Sequence, residues 1–354
     1  MSEMGLREAQ WYEALGIERV RCKLCPWFCV LEPGRIGFCG VRENRNGKLV
    51  TLVYGLASSI AIDPIEKKPL YNFYPGAPIV SISTVGCNFK CPWCQNWSIS
   101  QLQPSRTTLD YLEPEKVVKI MKRYEVPFLA FTYNEPFIWY EYVLDVARLV
   151  KREGGFNVLV TNGHVNAEPL EELVKYIDAA NVDIKSFNSE TYLKIIKGKL
   201  DAVLTTTSLM KERGVHIETT YLVVPNVNDR IDEFVRMVKW HLDILGPDTP
   251  LHISRFYPAY KLIDRSPTPV ETLTLFWKSA RNEGLNYVYV GNVPGHSGEY
   301  TYCPSCGKPV IKRVGYDITE WNLTPGDNRC KLCGAKVTIT GYKWTSRHSI
   351  HYYL

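Results

Sequence analysis

From Ile79 onward, short apolar runs alternate with longer amphipathic stretches. The runs IVSIST (79–84), FLAFTY (128–133), FNVLVT (156–161), NVDIKSF (181–187), VHIETTYLVV (215–224) and LHISRFYP (251–258) are rich in β-branched and aromatic residues and predict strands. EPEKVVKIMKRYE (113–125), FIWYEYVLDVARLVKRE (137–153), AEPLEELVKYI (167–177), DRIDEFVRMVKWHLDIL (229–245) and VETLTLFWKSARNEG (270–284) carry the helical period. Two short helical stretches precede the fifth strand. Several of the strands lack polar alternation, the pattern of strands buried on both faces under helices. Six βα units in series predict an α/β fold: a parallel sheet with right-handed crossovers, wrapped toward a partial (β/α)6 barrel.

The pattern divides the chain into four parts. Residues 1–50 form a small four-cysteine module with turn glycines around Cys39 and a hairpin signal at Asn46-Gly47. Residues 51–78 read as a connector ending in the loop NFYPGAP. The barrel spans 79–298. Residues 299–354 form a C-terminal module, in which YCPSCGKP and CKLCGAK place two C-x2-C turns. The tail GYKWTSRHSIHYYL is aromatic and basic, and reads as a packed terminal strand rather than a nucleic-acid contact.

Composition narrows the class. Of 354 residues, 45% are apolar and 22% charged, ordinary for a globular protein. The net charge of +5 is spread out, so nucleic acid is not expected as the main partner. No apolar run is long enough to cross a bilayer, and the polar, mixed-charge start does not read as a secretion signal. The expected compartment is the cytoplasm, where thiols stay reduced and clustered cysteines read as metal ligands.

The eleven cysteines fall into sets of four, three and four. The middle set, Cys87, Cys91 and Cys94 in TVGCNFKCPWCQNW, has the spacing C-x3-C-x2-C in one loop after the first strand. A thiolate-only [4Fe–4S] cluster takes four cysteines, one per iron. Three leave one iron open, and an open metal position is a reactive one. The bland alternative is a three-cysteine zinc site completed by His164 or His252. Cys303, Cys306, Cys330 and Cys333 sit at zinc-ribbon spacing, and zinc would replace a core too small to form alone. Cys22, Cys25, Cys29 and Cys39 admit zinc or an auxiliary iron–sulfur cluster, and the glycine-rich turns beside them favour zinc.

GCNFKCPWCQN resembles the cysteine loop of the radical S-adenosylmethionine (radical SAM) enzymes. The resemblance implies that Cys87, Cys91 and Cys94 hold a [4Fe–4S] cluster whose open iron binds the methionine part of SAM. It further implies reductive cleavage of SAM to a 5′-deoxyadenosyl radical, with an electron from a reduced ferredoxin or flavodoxin-type donor. Tyr133-Asn134-Glu135-Pro136 stands where the superfamily often has Gly-Gly-Glu-Pro, and Glu135 matches the carboxylate near the SAM amino group. Asn162 ends the third strand. Asp183 and Lys185 resemble the Asp-x-Lys of pyruvate formate-lyase activating enzymes, whose lysine meets the SAM carboxylate. His252 and Arg255 fall on the expected adenosine side. Phe89, Trp93 and Trp97 would wall the site. No residue is assigned a catalytic role beyond cofactor binding.

CKLCPWFCVLEPGRIGFCGVREN, YNEPFIWYEY, HISRFYP, GNVPG and the closing cysteine pairs together resemble the radical SAM enzyme of the AmmeMemoRadiSam system. That implies a substrate that is a small molecule or a partner protein, and other components of that system as partners. Two alternatives stand beside it. One is a glycyl-radical-enzyme activase. The other is a zinc-ribbon module that binds RNA or protein without redox chemistry.

Overall fold

The computed structural model describes residues 5–345. At its centre lies an eight-stranded sheet. In chain order its strands are β1 (Ser59–Pro64), β2 (Pro78–Ser83), β3 (Phe128–Phe131), β4 (Phe156–Thr161), β5 (Ala179–Asp183), β6 (His216–Val223), β7 (Leu251–Arg255) and β8 (Val288–Gly291). They lie side by side in that same order. Strands β2 to β8 are parallel, and β1 is antiparallel on the edge, with Ile60 opposite Ile82. The sheet ends at β1 and β8 without closing on itself among the described residues, which makes a partial barrel.

Six helices return the chain between the parallel strands: α1 (Pro114–Arg123), α2 (Tyr140–Arg152), α3 (Ala167–Leu173), α4 (Leu200–Glu212), α5 (Ile231–Leu245) and α6 (Val270–Glu283). The physical cause is legible in each layer. All residues of β2 and β3 are buried, Ser81 and Ser83 included, so both strands meet helices on one face and the barrel interior on the other. Helix α1 starts with Pro114, whose missing N–H costs nothing there, and turns Val117 and Met121 inward four residues apart.

The structure adds to the pattern reading in three places. Strand β8 is only four residues long, too short to stand out by periodicity. Strand β1 comes from the stretch read as connector. The expected pair of short helices before β6 contains the thirteen-residue α4. Its inward positions include Thr206 and Thr207, which blur the apolar period, and Thr207 satisfies its hydroxyl on the Val203 carbonyl at 2.7 Å.

Two small modules flank the barrel. In the N-terminal one, Arg42–Arg45 and Lys48–Thr51 pair as a hairpin, and Asn46 and Gly47 carry the positive φ angles (50° and 82°) that its tight turn requires. Buried Arg42 reaches both carboxylate oxygens of Glu141 on α2, at 2.9 and 2.8 Å, and clamps the module to the barrel. In the C-terminal one, Thr301–Tyr302, Pro309–Val314 and Asp317–Trp321 form an antiparallel sheet. Buried Arg313 lies 4.4 Å over the Tyr71 ring and donates to the Tyr71 carbonyl at 2.9 Å. The tail is not a strand where it is described. Thr340 makes an isolated bridge to Phe73, and Trp344 packs edge-on to Phe128 at 5.5 Å. The rest of that predicted segment lies outside the described residues. No described helix is long and apolar enough to cross a membrane.

Candidate functional site

The C-terminal ends of the parallel strands converge on a cavity of about 630 Å³. Cys87, Cys91, Cys94, Glu135, Asn162, Asp183, Lys185 and His252 all line it. These residues come from the loop after β2 and the ends of β3, β4, β5 and β7, so only the fold brings them together.

The cysteine loop is held from several sides. Gly86 has φ +91°, and a Cβ there would lie 2.7 Å from the Cys39 carbonyl oxygen and from Val41. The loop can therefore pass only as glycine at this point. Asn134 clips β3 to it, donating to the Gly86 carbonyl at 3.0 Å and accepting from the Thr84 amide at 3.4 Å. Asn162 spends its side chain here as well, donating to Asn88 at 2.9 Å and to the Cys87 sulfur at 3.7 Å. Phe89 is buried against Tyr192 and His164. Burial pushes the Cys91 thiol up to about 12, even with the Lys185 ammonium nearby. As a free thiol Cys91 is protonated, so binding a metal centre must release its proton.

The spacing of the thiols separates two kinds of site. Among the described residues, the one set of three or more metal-type donors lying within 4.8 Å of one another is Cys303, Cys306, Cys330 and Cys333. Its sulfurs approach to 3.6 Å (Cys303 to Cys333) and 3.9 Å (Cys306 to Cys330), close to the roughly 3.8 Å that tetrahedral zinc–sulfur bonds imply. That set could hold one metal ion. Cys87, Cys91 and Cys94 are not drawn to that spacing, although all three share one cavity wall. Their donor set would fit a cluster that takes each thiolate on a separate iron and leaves one iron without a protein thiolate.

Neither histidine proposed as a fourth ligand joins the trio at such spacing. His252 is held through Nε2 by Glu218 at 2.6 Å. His164 is fully buried against Phe89 and Trp27, with no hydrogen-bond partner on either ring nitrogen. Burial drops its pKa to about 3, so the ring is neutral.

The two charged candidates are set differently. Lys185 Nζ donates to Asp183 at 3.0 Å. Burial alone would lower its pKa, but Asp183 and the Cys91 thiol hold it above the ordinary value, and it stays charged. Glu135 is fully buried and already engaged: it accepts from Phe137 N–H at 3.0 Å, the Thr161 hydroxyl at 2.7 Å and Asn162 N–H at 2.8 Å. Burial nonetheless raises it to about 7. Before it, Tyr133 stands in the left-handed region at φ +67°, where glycine is the easy residue. The tyrosine keeps that backbone shape and uses its side chain, donating its hydroxyl to Asp63.

Arg255 is not brought into the cavity. Its guanidinium donates to the Thr268 carbonyl at 2.8 Å and to the Tyr257 hydroxyl at 3.1 Å. Phe89 and Trp93 line the cavity, whereas Trp97 is 45% exposed and stacks on Tyr260 outside it.

The cavity is also lined by residues that the sequence did not single out. Lys68 donates to Asp63 at 2.6 Å and lies 4.3 Å over the Tyr133 ring, and burial lowers it to about 8. Glu66 is buried, with one oxygen accepting from Gly76 N–H at 2.8 Å and the other without a partner. Burial raises it to about 7. Tyr71 and, from the C-terminal module, Tyr316 also line it. The signal was present in Asp63 and the run Glu66-Lys67-Lys68, the four charges of the connector.

Comparison with known proteins agrees with this geometry. The profile of the Radical SAM superfamily matches residues 81–239, the stretch from β2 into α5. The uncharacterized protein MJ0808 of Methanocaldococcus jannaschii is 47% identical over 94% of this chain and 99% of its own. The putative glycyl-radical enzyme activating enzyme MJ1632 of the same organism is 25% identical over 46% of this chain and 62% of its own. The pyruvate formate-lyase 1-activating enzyme of Escherichia coli is 24% identical over 43% of this chain and 65% of its own.

Proposed function

The chain belongs to the radical SAM superfamily, a family whose members imply a [4Fe–4S] cluster and SAM, and on that premise we propose that it cleaves SAM reductively and directs the resulting radical at a polar substrate in the cavity. One observation carries the reading: Cys87, Cys91 and Cys94 share a single cavity with the Asp183–Lys185 pair and Glu135. The cluster, when bound, supplies the electron that splits the sulfonium carbon–sulfur bond of SAM into methionine and a 5′-deoxyadenosyl radical.

The chain's own residues bind and enclose. Lys185, charged and held by Asp183, offers a cation to the SAM carboxylate. Glu135 braces β3 against β4 and places a partly negative acceptor at the same wall for the SAM amino group. Asn162 fixes the loop that carries Cys87. Phe89 and Trp93 keep water from the reacting end, which a primary alkyl radical requires. His252, Lys68, Tyr71 and Glu66 supply the polar contacts for substrate. A cavity walled in part by the C-terminal module, through Glu299, Gly315 and Tyr316, suits a small molecule or a single inserted side chain better than a broad peptide loop. This favours a small-molecule or side-chain substrate over activation of a glycyl-radical enzyme, the activity that two relatives carry in their names.

Zinc at Cys303, Cys306, Cys330 and Cys333 is part of the same proposal, supported by their sulfur spacing. So are an oxidoreductase-like reaction, a cytoplasmic location, a reduced ferredoxin or flavodoxin-type donor, and a place in the AmmeMemoRadiSam system, which rests on the sequence motifs alone. The test is anaerobic incubation with SAM and dithionite, assayed for 5′-deoxyadenosine. The wild type should form it and Cys91→Ala should not. Cleavage that persists in the variant overturns the ligand assignment.

A further inference from the structure

We propose that Cys22, Cys25, Cys29 and Cys39 hold a second iron–sulfur cluster of the four-iron type, in direct contact with the loop of the first. The glycine-rich turns around these cysteines favour zinc when read as sequence. The folded geometry favours the larger group.

The first observation is spacing. The C-terminal four thiols are drawn together at single-ion distance. The N-terminal four are not, for no three of them form a set within 4.8 Å. Yet they share one neighbourhood. The Cys22 amide donates to the Cys29 carbonyl at 3.0 Å, and a Cβ added at Gly37, two residues before Cys39, would lie 3.8 Å from the Cys29 sulfur. Each thiol also lies within electrostatic reach of at least one other of the four. Four converging thiols spread wider than one ion match a cluster that gives each thiolate its own iron. The catalytic trio shows the same wide spread.

The second observation is a buried donor with no partner. Arg42 is 1% exposed, and its Nε has no hydrogen-bond partner. It lies within electrostatic reach of both Cys22 and Cys39. Glu141 balances its charge, which leaves the Nε–H as a donor that a bound sulfur could accept.

The third is contact with the catalytic loop. The Cys87 amide donates to the Cys39 carbonyl at 3.3 Å, so a ligand of one set is hydrogen-bonded to a ligand of the other. Gly86 exists to permit that approach. Trp27, between Cys25 and Cys29, donates its indole N–H to the Asn88 carbonyl at 3.0 Å on the same loop. A structural zinc needs no such proximity. A cluster in this position can take one electron from a reduced iron–sulfur or flavin protein and pass one electron across the Cys39–Cys87 contact, with nothing else consumed. Only this relay role rests on the proposed function; the site itself does not.

The first measurement uses the full-length wild type, purified anaerobically and reconstituted with iron and sulfide. Two clusters predict about eight irons and eight sulfides per chain, with about one zinc. About four irons with about two zincs overturns the proposal and leaves the catalytic reading intact. A second measurement uses Cys91→Ala. After dithionite reduction it should keep an electron paramagnetic resonance signal that added SAM does not alter, while Cys29→Ala should keep only a signal that SAM does alter. If Cys29→Ala leaves the iron content unchanged, the proposal is wrong. Iron-free wild-type protein would sink both this inference and the proposed function.

Discussion

Lys185 Nζ lies 3.0 Å from an Asp183 oxygen at the end of β5, and the Cys91 thiol is among the groups that keep its charge in place. Sequence order separates cysteine from lysine by helices α1, α2 and α3 and strands β3, β4 and β5; the parallel sheet returns them to one wall. The pair is a cation already paid for in burial, waiting on a second carboxylate.

Replacing that cation tests its role directly. Lys185→Met should weaken SAM binding by about tenfold or more, about 1.4 kcal/mol, with iron content unchanged. Calorimetric titration of the reconstituted protein measures it. A lysine that only packs would leave SAM affinity at the wild-type value.

The loop approach makes a stability prediction. Gly86→Ala puts a methyl 2.7 Å from the Cys39 carbonyl oxygen at a φ of +91°. Loss should exceed the roughly 1 kcal/mol typical of glycine replacement at positive φ, read as a lower denaturant midpoint. Reconstituted iron should fall with it, because both cysteine sets meet at this point.

Glu218 makes a pH prediction. It is fully buried, and accepts from the Tyr71 and Asn72 amides at 3.0 and 2.7 Å. Burial alone would raise its pKa, but His216 and His252 bring it down from 4.5 to about 2. A depressed carboxylate stabilises the fold above its unfolded value and loses that contribution as pH falls through its folded one. Glu218→Gln should therefore be clearly less stable than wild type at neutral pH. The gap should narrow as pH falls from about 4.5 toward about 2, in paired denaturant titrations. A gap independent of pH would show that the charge does not matter.

The C-terminal set makes a metal prediction. Cys306→Ala should lose about one zinc per chain and keep its iron. Limited proteolysis should then cut between 303 and 333 much faster than in wild type. Equal zinc in both proteins would remove this set from the metal inventory.

The helices and strands of the barrel were legible because burial on both faces demands unbroken apolar runs, as in Phe156–Thr161, whose bounds match the pattern reading. The trio was legible because three ligands within one loop leave their spacing in the chain. Strand Ser59–Pro64 and helix α4 were not, since an edge strand and a helix with inward threonines dilute the signal. Lys68 and Glu66 escaped notice because a short run of charges says nothing about the wall it will face.

By itself, the order of residues determined the βα series and the three cysteine sets, because each depends on neighbours along the chain. Only the tertiary structure decided that Cys39 touches Cys87, that Glu218 lies between His216 and His252, and that Arg255 turns away from the cavity. Those outcomes depend on which distant segments come within a few ångströms, and packing of the whole sheet sets that distance.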